Sequence, residues 1–188
     1  TYALLRSIIE SRRQDTGEYN DLLDMLLNSV YEDTGETMTT QQILDETLIL
    51  FVAGHETTAN ALSWSLYLLS QNPEIGNKLK AAIQGVELPS VITYQNIKDL
   101  DYTRQIISES MRLYPPAWIT DRVALDDDDI NGIKIKKGDV IALYIYGAHH
   151  SKKSWVHPEA FLPSRFEREK MKAYHPFAYF PFGGGPRL

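Results

Sequence analysis

The sequence predicts a mainly α-helical fold carrying a small β-sheet, an α+β chain organised around one long central helix. Three observations carry that expectation. Apolar residues recur at helical spacing through roughly the first 113 positions. The turn signals Asn131-Gly132 and Lys137-Gly138 then surround Ile133 to Ile135 and Val140 to Tyr146, which read as a small sheet. Finally, Pro158, Pro163, Pro176, Pro181 and Pro186 punctuate an aromatic-rich, irregular meander.

Each element follows in turn. Leu4, Leu5, Ile8 and Ile9 predict a helix over residues 2 to 13. Gly17 interrupts, and Leu22, Leu23, Leu26, Leu27 and Val30 predict a second amphipathic helix from Tyr19 to Val30. Thr39 and Gln42 make a capping box, the hydroxyl bonding a free amide while the glutamine side chain reaches back. The periodic pattern then runs from Ile43 to Leu69, with Asn72-Pro73 ending that helix and opening the next. About thirty residues at ~1.5 Å each give a rod of roughly 45 Å. Its middle, Leu48 to Gly54, is apolar on every side, which predicts burial all round at the centre of a larger protein. A shorter helix to about Gln84, a loop with Pro89 and a small helix from near Thr93 come next. Another helix, about Tyr102 to Leu113, is stopped by Pro115-Pro116.

Composition sets the bounds. A chain of 188 residues, 43% hydrophobic and 23% charged, fits one soluble globular domain with a core. The net charge of -6 argues against nucleic acid or an anionic membrane as the main partner. Much of that acidity sits in Asp126-Asp127-Asp128-Asp129, read as a solvated turn. With no cysteine, the chain itself builds neither a disulfide nor a thiolate metal site. The longest unbroken apolar run, Leu48 to Ala53, falls short of the ~20 residues that span a bilayer, and no signal peptide opens the sequence. A soluble, cytoplasmic protein is expected. Thr1 starts inside a helical pattern without an initiator methionine, so upstream sequence is expected too, which leaves a membrane anchor there open.

Three segments carry chemistry. Ala53-Gly54-His55-Glu56-Thr57-Thr58 lies midway along the long helix, where a glycine costs about 1 kcal/mol against alanine. A flat cofactor or ligand could approach the backbone at Ala53-Gly54. Thr57 can turn its hydroxyl onto the carbonyl one turn back, opening a groove, and Glu56 is an acid able to pass protons inward. A tolerated glycine beside a solvent-facing polar patch explains this segment equally well. The zinc motif H-E-x-x-H fails, because Ala59 holds the second histidine's place. In Glu109-Ser110-Met111-Arg112, the three-residue spacing puts glutamate and arginine on one face, by itself usually a surface pair. Pro163-Ser164-Arg165-Phe166 offers a second arginine, and a carboxylate forked by two guanidiniums could clamp meander to helix. Last, Pro181-Phe182-Gly183-Gly184-Gly185-Pro186-Arg187-Leu188 describes a loop passing tightly against something. The dinucleotide pattern G-x-G-x-x-G does not fit there. His149, His150, His157 and His175 show no metal-ligand spacing and are expected in structural or surface roles.

In this order and spacing, A-G-x-E-T-T at 53–58, E-S-M-R and L-Y-P-P at 109–116, P-S-R-F at 163–166 and P-F-G-G-G-P-R at 181–187 resemble the cytochrome P-450 family of haem-thiolate monooxygenases. The resemblance runs over essentially the whole chain. It implies a partial cytochrome P-450 fold, residues 1–188 being one partial domain of a longer oxidoreductase. Ala53 and Gly54 would lie over the haem, with Phe182 and Gly183 in its binding loop and Arg122 and Arg187 on its propionates. Glu56 and Thr57 would be the acid and alcohol that deliver protons to dioxygen. Ile49, Val52, Trp118 and Ile119 would line the substrate pocket, and Glu109, Arg112 and Arg165 would be the structural triad. An apolar substrate, dioxygen and an electron-donating redox protein or fused reductase are the partners implied. The family's iron-ligating cysteine would be the residue after Leu188, and its thiolate favours O–O cleavage. The chain alone is therefore expected to hold no haem and no metal and to be inactive. Its uncovered apolar helix is expected to make it self-associate, rearrange, or stand as part of a longer protein. A haem-free helical scaffold or interaction domain is the alternative the residues leave open.

Overall fold

The computed structural model describes residues 2–15, 17, 19–86 and 89–185. The chain divides into two compact units, Thr1–Glu56 and Thr57–Leu188, with the boundary inside its longest helix.

The first unit holds α1 (Tyr2–Gln14), α2 (Leu22–Asn28) and the start of α3 (Thr40–Gln71). Ile9, Ile43 and Leu44 form its core, flanked by Leu23, Leu26, Leu27 and Met38. The helix expected from Tyr19 to Val30 is shorter. The Asp21 carboxylate accepts the Asp24 amide at 2.9 Å and so starts the helix after itself, while Val30 pairs with Thr37 in an isolated bridge. The capping box before α3 forms: the Thr39 amide donates to Gln42 Oε1 at 2.8 Å, and the Gln42 amide to Thr39 Oγ1 at 3.3 Å.

The apolar stretch Leu48 to Gly54, expected to be buried only within a larger protein, is uncovered in this chain. Leu48 is half-buried, and residues 49–54 are exposed, Ile49 and Phe51 each at 59%. Packing within this unit is centred on the Ile43–Leu44 turn, so the apolar stretch beyond Leu48 stays uncovered.

The second unit continues α3 and adds α4 (Pro73–Gln84), α5 (Tyr94–Lys98) and α6 (Asp101–Leu113). Pro73 opens α4, where a missing amide hydrogen costs nothing. Leu68, Ile106, Leu113 and Phe161 form one core cluster; Trp155, Phe166 and Ala178 form another. Helix α6 is the most deeply packed helix here, with Gln105, Ile106, Glu109, Ser110, Arg112 and Leu113 buried.

The single small sheet expected becomes two. β1 (Thr120–Val123) pairs antiparallel with β4 (Val140–Leu143), and β2 (Asp128–Ile130) pairs with β3 (Ile133–Ile135). Asn131 and Gly132 both take positive φ, 52° and 86°, as the tight hairpin turn between β2 and β3 requires. Asp128 and Asp129 thus lie in a strand rather than a turn, and Lys134 beside Asp129 lowers that carboxyl below its usual range. The strand expected to reach Tyr146 stops at Leu143. Ile145 instead opens α7 (Ile145–His149), buried to 1% exposure. The meander is built from 3-10 turns at Pro163–Phe166 and Pro176–Ala178 with α8 (Arg168–Met171) between them.

Candidate active site

Helix α6 brings Glu109 and Arg112 together on its buried face, both at 0% exposure. Arg112 forks onto the carboxylate, Nε to Oε2 at 2.7 Å and Nη2 to Oε1 at 2.9 Å. Arg165, from the 3-10 turn, donates Nε to Oε1 at 3.2 Å, and the Leu162 amide reaches the same oxygen at 2.9 Å. The spacing alone favoured a surface pair; packing of the meander on α6 makes it a buried one. Further guanidinium hydrogens go to backbone carbonyls. Arg112 donates to His149 at 2.9 Å and Ala160 at 3.3 Å, and Arg165 to His157 at 2.7 Å. Both guanidiniums also stand over the buried Trp155 ring, 5.2 and 5.9 Å from its centre. One carboxylate thereby fixes three separate stretches of backbone to a helix.

Beside this cluster lies an almost wholly apolar cleft of about 290 Å³. Thr57, Thr58 and Ala61 of α3 form one wall, Ile107 and Met111 of α6 another, and Pro181-Phe182 closes the end. Phe182 is 79% exposed, so one of its sides remains open. Thr57 and Phe182, two residues singled out from sequence, therefore share a cleft.

The other sequence-predicted residues lie elsewhere. Trp118 borders a separate hollow with Trp64, Tyr114 and Tyr146, and Ile119 is exposed next to it in the chain. Gly183 borders a hollow that shares Met111, Pro181 and Phe182 with the cleft, in a loop where Gly183 and Gly185 take φ of 85° and 110°. Arg122, on exposed β1, donates to the Asp121 carbonyl at 2.6 Å and has no carboxylate partner among the described residues. Arg187 lies outside the described residues. Ile49, Val52, Ala53, Gly54 and Glu56 belong to the first unit and are exposed there. Among the described residues no group of His, Cys, Asp and Glu could hold a metal ion, and no helix is long and apolar enough to cross a membrane.

Sequence reasoning missed Ala61, Ile107, Met111 and Pro181 as cleft walls. The four-residue steps from Thr57 to Ala61 and from Ile107 to Met111 put each pair on one helix face, a signal present but not used. His149 was expected as structural or surface; it is fully buried. Burial, and after it the neighbouring Arg112 charge, lowers its pKa to about 4, so the ring is neutral near pH 7.

Comparison with known proteins identifies the family. The cytochrome P-450 family model matches residues 2–188. Cytochrome P-450 6l1 of Blattella germanica is 37% identical over 184 residues, covering 94% of this chain and 36% of that protein. The cyclooctat-9-en-7-ol 5-monooxygenase of Streptomyces melanosporofaciens is 32% identical, covering 97% and 40%. Among solved structures, the retinoic acid-bound cyanobacterial CYP120A1 matches with a TM-score of 0.91 at 30% identity, over 98% of this chain and 42% of that one. The haem domain of cytochrome P-450DA matches at 0.89 and 32% identity, over 98% and 41%. The chain spans little more than a third of the curated relatives it matches. With its motifs in order, its helix-rich fold and these matches along nearly its whole length, the chain belongs to the cytochrome P-450 family.

Proposed function

We propose that the full-length protein is a haem-dependent monooxygenase that uses dioxygen and two electrons from a redox partner, separate or fused, to oxidise an apolar organic substrate. Residues 1–188 are one partial domain of it. The observation that carries this reading is the apolar cleft with a threonine hydroxyl residue in its wall and an exposed phenylalanine at its end. Two relatives support an apolar substrate: one is named for cyclooctat-9-en-7-ol and another holds retinoic acid, both largely hydrocarbon.

The residues present fit haem. The small α3 wall of Thr57, Thr58 and Ala61 leaves room for a flat group, and the cleft's open side admits one larger than its own volume. Gly54 adds an independent sign, since no described atom beyond its chain neighbours and its own helix backbone lies within 4 Å of where its Cβ would stand. This chain's own packing therefore does not require that glycine, while a close-approaching cofactor would. Arg122, without a carboxylate partner among the described residues, can take an anionic substituent.

When bound, haem supplies the redox chemistry of dioxygen activation. The chain's residues do the rest. Ala53, Gly54, Phe182 and Gly183 would be the residues that hold it, and Arg122 and Arg187 would pair with its carboxylates. Ile107, Met111 and Pro181 keep water out of the cleft. Thr57 donates a proton from its hydroxyl at the cleft wall, and Glu56 resupplies protons from its carboxyl. Ile49, Val52, Trp118 and Ile119 select an apolar substrate by shape.

A carbon monoxide difference spectrum of the reduced full-length protein separates this reading from a haem-free scaffold, which would show no Soret band. The proton role is tested by Thr57→Ala in the same protein. Substrate binding should stay nearly intact, while coupling falls and more dioxygen is lost as peroxide. General acid work of this kind contributes ~10²–10⁴-fold. Unchanged coupling would remove Thr57 from the relay.

A further inference from the structure

We infer that His149 is a positioning residue whose buried imidazole ties the Phe180–Gly183 turn, and with it the Pro181-Phe182 end of the cleft, to the Glu109–Arg112–Arg165 cluster. The inference rests on the proposed haem site for its meaning, but not for its test.

His149 is the last residue of α7 and acts from both ends. Its backbone carbonyl accepts Arg112 Nη1 at 2.9 Å, and its ring Nε2 faces the Phe180 amide at 3.0 Å. An amide can only donate, so Nε2 must be the acceptor and the ring proton sits on Nδ1. Nδ1 is itself buried with no partner among the described residues. A histidine kept only to fill space would be better replaced by an apolar ring, because an orphaned buried donor is unfavourable. What the imidazole offers in return is its acceptor, and that acceptor is spent on Phe180. The Phe180 carbonyl, in turn, accepts the Gly183 amide at 3.0 Å and closes the turn containing Pro181 and Phe182. Each end of Phe180 thus has one hydrogen bond, and the one leading back to the core goes through His149.

The ring's surroundings preserve this tautomer. Tyr179 stacks on it at 5.3 Å and Phe180 meets it edge-on at 5.4 Å. Of the charged and titratable groups around it, Arg112 comes from α6 together with its partner Glu109, His150 is the residue that follows α7, and Tyr179 comes from the meander. A second ring proton would have to sit on Nε2, directly against the Phe180 N–H. Burial and the Arg112 charge oppose it. The tie therefore holds unchanged across the neutral range.

The test compares His149→Phe with His149→Gln in the full-length protein, reading amide hydrogen exchange at Phe180, Phe182 and Gly183 against that of α6. Phenylalanine keeps an apolar ring without the acceptor; glutamine keeps an acceptor without titrating. His149→Phe should speed exchange at the turn about tenfold with α6 unchanged, and His149→Gln should restore protection. Unchanged exchange at the turn, or an equal rise through α6 in both variants, would overturn the inference. If His149→Phe does not fold, a pH series decides. Wild-type protection at the turn should fall as pH approaches about 4, whereas that of His149→Gln should persist. Equal loss in both would count against the tie. Exchange is read without any haem band, so a missing carbon monoxide signal would sink the functional reading and leave this result standing.

Discussion

Two arginine–carboxylate clusters in this molecule are near mirror images. In the first unit one arginine serves two carboxylates, Arg12 Nη1 lying 2.8 Å from Asp21 and 3.0 Å from Asp24. In the second, one carboxylate serves two arginines, Glu109 lying 2.7 Å from Arg112 and 3.2 Å from Arg165. Distance does not tell them apart; burial does. The Arg12 side chain is 19% exposed and Asp21 43%, whereas Glu109 and Arg112 are at 0%. Water and salt screen the first cluster, which stabilises little beyond its contact with the Tyr19 ring. In the second, the cost of desolvating three charges roughly cancels their attraction, so the intact cluster adds little net stability either. The difference appears on breaking them. A charge stranded at the surface rehydrates; one stranded in the core does not.

Arg112→Ala should therefore have the largest effect, destabilising the full-length protein by ~3–5 kcal/mol. Beyond the stranded carboxylate, it deletes the bonds that hold the His149 and Ala160 carbonyls. Denaturant unfolding at pH 7 measures this. A loss under ~1.5 kcal/mol would mean that Glu109 rehydrates, and the contrast drawn from burial would collapse.

The same burial contrast can be sharpened by acid. His149 has a folded pKa of about 4 against 6.5 in the unfolded chain, so the unfolded state binds its proton first as pH falls. The stabilisation is complete above pH 6.5 and is lost between there and about 4. Over that window the expected loss is about 2–3 kcal/mol. His149→Gln should flatten that part of the stability–pH curve. An unchanged slope in the variant would show that another group is responsible.

What the sequence made legible follows from how local each feature is. Helices α3, α4 and α6 were readable because capping and proline signals lie within a turn of their ends, as at Thr39–Gln42 and Asn72-Pro73. The pairing of β1 with β4 was not, since Thr120 and Leu143 meet only after the intervening hairpin forms. The residues of the buried cluster could be nominated from spacing, but nothing local says that Glu109 is dry, because Leu162 and Arg165 supply that cover from more than fifty residues away. The exposure of residues 49–54 is the complementary case. An all-round apolar pattern states what a helix prefers to face, not whether this chain contains it.

The smallest effect expected is at Asp21, which does two things at once. Its carboxylate caps α2 by accepting the Asp24 amide at 2.9 Å, and it pairs with Arg12 at 2.8 Å. Both contacts hold its pKa below the usual carboxylate range, the cap more than the arginine. Asp21→Asn keeps an acceptor for the cap while removing the charge; Asp21→Ala removes both. If the half-buried ion pair is as weak as its setting implies, Asp21→Asn should leave Tm nearly unchanged, and Asp21→Ala should lower it by on the order of 2 °C. At 1 M salt, where screening acts within ~3 Å, any residual gap between wild type and Asp21→Asn should close, while the alanine deficit should remain. A salt-independent loss in Asp21→Asn equal to that in Asp21→Ala would mean that the charge itself matters here. The half-buried cluster would then behave as the fully buried one does.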